Sequence, residues 1–213
     1  MYRLKQTLAL IFLLPLIYNS CDGVSVNKSI TISDGEKVSH DLTSVNGSVE
    51  IGEDCQIRGD CSSVNGRIKV GRNSEVEDVQ SVNGSILLKE NVLVNRDVSS
   101  VNGPITCEEG VRITGEINSV NGNIDMYHTI VERDITTING DVRLKDESRV
   151  KGDIRIEGKR RSSSSSNMVE IHLTGNSVVE GDIISDENVS VQVHIGSGSK
   201  VQGQIKNAEV IRE

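Results

Sequence analysis

From residue 24 onward, apolar and polar positions alternate in a unit that is too long for any helix period. The tetrapeptide Ser-Val-Asn-Gly occurs at 44–47, 63–66, 81–84, 100–103 and 119–122. Variants stand at 25–28 (Ser-Val-Asn-Lys) and 137–140 (Thr-Ile-Asn-Gly), so the spacings run 19, 19, 18, 19, 19 and 18. Repetition at such a period marks stacked supersecondary units. Counted from the Ser as zero, positions 1, 5, 7, 11, 13 and 17 are apolar. The unit beginning at Ser81 supplies Val82, Ile86, Leu88, Val92, Val94 and Val98. The unit from Ser44 supplies Val45, Val49, Ile51, Cys55, Ile57 and Cys61, and that from Ser100 ends its set at Ile117. Three pairs of slots, each holding a short β-type alternation or a bend, predict a coil with three short faces.

The prediction is an all-β, single-stranded parallel β-helix (β-solenoid), three-sided, with about nine coils of 18–19 residues over 24–207. Arg155 to Gly158 reads as a worn copy of the tetrapeptide, and the Ser-rich stretch 159–168 as a loop inserted at one corner. Residues 208–213 read as a C-terminal tail. Asn-Gly is also a strong hairpin signal, which makes a meander of hairpins the rival fold. A meander would pair unlike slots, whereas stacked coils place like on like.

The asparagines Asn27, Asn46, Asn65, Asn83, Asn102, Asn121 and Asn139 fall at one corner. A sharp corner asks for positive φ, which Asn and Gly tolerate, and stacked amides can bond from coil to coil as a structural ladder. Cys55, Cys61 and Cys107 occupy core slots and read as small hydrophobes, with a Cys55–Cys61 disulfide as the other possibility.

The first segment has a different character. Arg3 and Lys5 precede a nearly unbroken apolar run from Thr7 to Tyr18, then Asn19, Ser20 and Cys21. The run is shorter than the ~20 residues that span a bilayer, so residues 1–20 read as an export signal peptide and 21–23 as a short tether. The Cys after Ser20 resembles a bacterial lipoprotein cleavage site, which implies lipid attachment at Cys21 and a location in the cell envelope, anchored to a membrane.

Composition narrows the function. Of four aromatic residues, only Tyr127 lies beyond residue 18, leaving almost no stacking surface for sugars or single-stranded nucleic acid. The net charge is −8, or −10 once Arg3 and Lys5 are removed, which opposes nucleic-acid binding. An acidic column (Asp41, Asp60, Asp78, Asp97, Glu116, Asp134, Asp153, Asp182) could draw calcium, although capping of turn amides is the simpler reading. His40, His128, His172 and His194 show no ligand spacing. No Ser/His/Asp set or phosphate loop is present, and no cofactor, catalytic residue or metal ligand is expected. An acyltransferase of the hexapeptide type would need 18-residue coils throughout, and a polysaccharide lyase a groove of clustered charges.

Lys145 to Ile154 and Leu173 to Ile183 end in Val-x-Gly-Asp-Ile, and Ile195 to Ile205 ends in Val-Gln-Gly-Gln-Ile. In these segments the chain resembles bactofilins, the polymer-forming bacterial cytoskeletal family. The resemblance implies a right-handed, three-sided β-helix whose open ends stack into non-polar filaments without nucleotide, and a role as a scaffold for envelope and cell-shape proteins. Most of that family is cytoplasmic, so an export signal is a departure. The Ser-Val-Asn-Gly corners are similar to adhesin-type repeats of bacterial envelopes. The expectation is a non-enzymatic structural or scaffolding protein that self-associates through its terminal coils, and meets an envelope protein or polysaccharide. The alternative is a surface-exposed adhesin or binding module presenting one solenoid face.

Overall fold

The structure is a computed structural model that describes residues 24–158 and 168–212. Cys21 and the basic and serine-rich stretch 159–167 lie outside the described residues. The chain winds through three parallel sheets in strict rotation. The first sheet holds ten strands, from Val24–Ser25 to Ile205–Lys206; the second holds ten, from Ile30–Ile32 to Glu209–Arg212; the third holds nine, from Lys37–Val38 to Lys200–Val201. Strand neighbours are one lap apart, as in Val79 beside Val98 and Ile86 beside Ile105. Every pairing among the described residues is parallel, which excludes the meander. The β-solenoid of about nine coils is therefore the fold.

The lap follows from the sequence pattern. Each strand is only two to five residues long, and its side chains alternate between core and surface. Ile68, Ile86, Ile105 and Ile124 form one fully buried column, and Val70, Leu88, Cys107 and Met126 another. Like lies on like, so a thin core of aliphatics fills without aromatic rings. The three described cysteines are buried and free, and there is no Cys55–Cys61 disulfide.

Three expectations need correction. The Val of Ser-Val-Asn-Gly is not a core residue. Val45, Val64, Val82, Val101, Val120 and Ile138 are all half-buried, while the preceding Ser44, Ser63, Ser81, Ser100, Ser119 and Thr137 are buried. Period-2 alternation decides this: Val79 and Ser81 point inward from one strand, so Val82 cannot. In the worn copy, Ile156 rather than Arg155 takes the Ser slot, in register with Thr137. Second, Asn27 alone of the seven ladder asparagines has positive φ. Apart from Asn27 and Asn207, the left-handed residues stand at the next corner, between the second and third sheets, among them Gly35, Asp54, Asn73, Asn91, Gly110 and His128. Third, residues 208–213 are not simply a tail, because Glu209–Arg212 pairs with Gln192–Ile195 as a further strand of the second sheet.

The glycines of the first corner answer to close approach. A Cβ on Gly103 would lie 2.0 Å from the Gly84 carbonyl oxygen, and one on Gly122 1.9 Å from that of Gly103. Both glycines lie outside the positive-φ region.

Candidate functional site

The polar residues that recur lap after lap sit at the three corners. At the first, Ser81, Ser100, Ser119 and Thr137 each close their own turn, while Ser44 and Ser63 donate to carbonyls of the lap before. Ser100 Oγ accepts from Gly103 N (3.2 Å) and donates to Gly103 O (2.6 Å), and Ser119 does the same with Gly122. A turn peptide that would otherwise lose water is thereby satisfied. The exposed asparagines then run as a chain of amides. Asn46 Nδ2 donates to Asn27 Oδ1 at 2.6 Å, and the series continues through Asn65, Asn83, Asn102 and Asn121 to Asn139 at 2.7 to 2.8 Å. Each interior amide gives one bond and receives one along the column.

The second corner carries a shorter ladder. Asn73 donates to Asp54 and Asn91 to Asn73, each at 3.1 Å. It follows left-handed backbone positions, and the isolated Asp and Asn residues after Gly52 and Gly71 are its sequence signal. Inside this corner one core slot holds Cys55, Ser74, Val92, Val111, Thr129, Ser148 and Ser177 in successive laps. Cys55 Sγ approaches Ser33 O at 3.1 Å much as Ser74 Oγ bonds Gly52 O at 3.0 Å. Cys55 is thus a weak donor standing in a hydroxyl column as well as a small hydrophobe.

The acidic column forms the third corner. Asp41 Oδ1 accepts from Asp60 N, Asp78 Oδ1 from Asp97 N, Asp97 Oδ1 from Glu116 N and Asp153 Oδ1 from Asp182 N, at 2.8 to 2.9 Å. The second oxygens face cations: Arg96 pairs with Asp78 at 3.0 Å, Arg155 with Asp134 and Asp153, and Lys206 with Asp182. Burial pushes the Asp78 carboxyl above its ordinary value, and burial with the neighbouring Asp78 and Asp41 charges does the same to Asp60. At the other end, the bond from Lys206 holds Asp182 below it. Among the described residues no group of three or more His, Cys, Asp or Glu could hold a metal ion.

The histidines are less scattered than the spacing suggests. His172 and His194 stand in register on adjacent laps, with rings stacked at 4.4 Å and 12°. The lap between them is 22 residues, longer than the 18–19 of the repeat, and this hides the relation in the sequence. His172 Nε2 lies 3.0 Å from Glu170, which lowers the Glu170 pKa. Tyr127 stands over Lys145, whose Nζ is 2.9 Å from the phenol oxygen and 4.6 Å from the ring centroid. Beside this pair an open depression of about 570 Å³ is lined by Glu90, Thr106, Glu108, Glu109, Tyr127, His128 and Asp146. Among the described residues no helix is long and apolar enough to cross a membrane.

No protein-family model, curated protein or solved structure matches the chain.

Proposed function

We propose that the chain is a non-enzymatic structural rod of the bacterial cell envelope, bactofilin-like, anchored through lipid at Cys21, which associates end to end through its terminal coils. The observation that carries this reading is the contrast between interior and terminal laps. Ile30, Ile32 and Val38 in the first lap, and Val201 and Ile205 in the last, are only partly buried, while their column mates inside the stack are covered on both sides. Among the described residues, strands at both ends pair on one edge only, and such edges template further strands.

The two ends also differ in a way that favours joining unlike ends. Asp34, Glu36 and Asp41 outnumber Lys28 and Lys37 in the first lap, whereas Lys200, Lys206 and Arg212 outnumber Glu209 in the last, so the rods joined here are polar, unlike the non-polar filaments of bactofilins. A hollow of about 280 Å³ at the last lap, lined in part by Ile195, Val201, Ile205 and Val210, would receive apolar side chains of the next rod. Arg212 stands in the column of Ile195, so its charge must find an acid across the joint.

Negative-stain microscopy of the purified full chain tests the reading. Rods joined end to end are expected, and Val210→Glu should separate them, because Val210 is 40% exposed at that end. Monodisperse single rods from the unaltered chain would refute end-to-end assembly. The depression beside Tyr127 supports the second reading, a binding module that presents a solenoid face. Capture of a ligand there by single rods, lost with Tyr127→Ala, would favour it.

A further inference from the structure

The three faces of the rod are not equally charged. Outward positions of the second sheet include Glu50, Lys69, Asp125 and Arg143, and those of the third Lys37, Glu75, Arg112 and Arg149. Ion pairs cross from lap to lap on these faces, as in Lys89–Glu108 and Arg112–Glu132. The first sheet has no charged outward residue over its first seven laps. Its outward column after Val24 reads Thr43, Ser62, Gln80, Ser99, Asn118 and Thr136, with the valine column of the Ser-Val-Asn-Gly corner beside it. Val24 and Val26, the two most exposed large apolar residues described, at 53% and 59%, begin these two columns. The neutral surface stops at the eighth lap, where Arg155 and Glu157 take the same places.

The geometry points to this neutral face as a lateral interface between two copies of the chain, side by side and parallel, so that the acidic column along one edge of the face in each copy lies against the amide ladder along the other edge in its partner. A chain of net charge −8 repels its own copies, and the outward columns of this face carry no charge to bury, the acidic column lying along one edge only. Interface cores are depleted in charged residues, and a two-fold pairing needs one patch that complements itself. Size also suits a second copy. Seven laps at about 4.8 Å span about 34 Å, and five residues across span about 16 Å. Pairing two such faces would cover roughly 1,100 Å² in total, just above the ~1,000 Å² that a specific interface needs. The inference does not depend on end-to-end assembly, since it uses a different surface.

The test uses the full chain carrying Val210→Glu, so that end association does not mask it, and reads mass by sedimentation equilibrium. A dimer is expected. Adding Val82→Glu and Val101→Glu should halve the mass while far-UV circular dichroism stays unchanged, because Glu157 already fits that column. Ser99→Arg is the second variant and should act alike, since Arg155 already occupies the same column one face-length further on. Thr106→Glu, on the charged second sheet, should leave the dimer intact. The inference is overturned by a monomer in the parent chain, by a dimer that survives both face variants, or by one that only Thr106→Glu dissolves. A parent monomer that floats with phosphatidylcholine vesicles, and ceases to with the face variants, would overturn it too, by assigning the face to lipid.

Discussion

At the scale of single residues, close contact and hydrogen bonding outweigh backbone freedom. Gly35 and Gly103 are both glycines at corners, for opposite reasons. Gly35 has φ +75° with nothing near its missing Cβ, while that of Gly103 would strike backbone at 2.0 Å. Gly35→Ala should therefore cost about 1–2 kcal/mol, the strain of a left-handed residue. Gly103→Ala should cost clearly more, because two laps must separate; urea unfolding of the two variants compares them. Asn102→Ala removes the bond it gives Asn83 and the one it takes from Asn121. Exposed bonds lie at the low end of ~0.5–1.5 kcal/mol each, so a loss of about 1 kcal/mol is expected by the same measurement. Asp78 supplies a pH test. Its folded pKa lies above the ordinary 3.8, so its contribution to stability is greatest below 3.8 and is lost as pH rises through the folded value. Asp78→Asn does not titrate. The melting temperature of Asp78→Asn relative to the parent should therefore rise between pH 3.5 and 7; a flat or falling difference would show that the Arg96 pair outweighs burial.

At the scale of elements, the unit of meaning is the column rather than the strand. Two to five residues per strand are too few to hold together alone, but each is repeated by neighbours above and below. The same substitution then has different outcomes in different columns. Cys55 shares its slot with Ser74, and a carbonyl already faces its sulfur. Cys55→Ser should be nearly neutral. Cys107 lies between Leu88 and Met126 in an aliphatic column. Cys107→Ser should cost about 1–3 kcal/mol, the penalty for a buried hydroxyl without a partner. Burial also pushes the Cys107 thiol up to about 12 and raises that of Cys61. Neither should react with iodoacetamide at pH 8 until the chain unfolds, which mass spectrometry of the labelled protein reads directly.

At the scale of the whole molecule, stability is graded along one axis. Solenoid laps contact only their neighbours, so interior laps are held from two sides and terminal laps from one. Hydrogen exchange should show the amides of Ile86, Ile105 and Ile124 protected longest, and those of Ile30 and Ile205 exchanging first. Uniform exchange along the axis would show that the rod opens as one unit.

The lap was legible in the sequence because stacking repeats the same environment at each turn, and Ile86, Ile105 and Ile124 had to be alike to share a column. The amide ladder was legible for the same reason, in the identical Asn at each first corner. What the repeat could not reveal was orientation within a corner. Ser and Val are adjacent in Ser-Val-Asn-Gly, and only the strand that enters the turn determines which one faces the core; hydropathy alone selects Val, and the turn's need for a hydroxyl selects Ser. Relations across unequal laps were hidden too, as for His172 and His194, because a longer lap breaks the count but not the stack. Sequence thus determined which residues recur; the parallel pairing of laps determined which of them meet, because hydrogen-bond register, not spacing along the chain, brings side chains into contact.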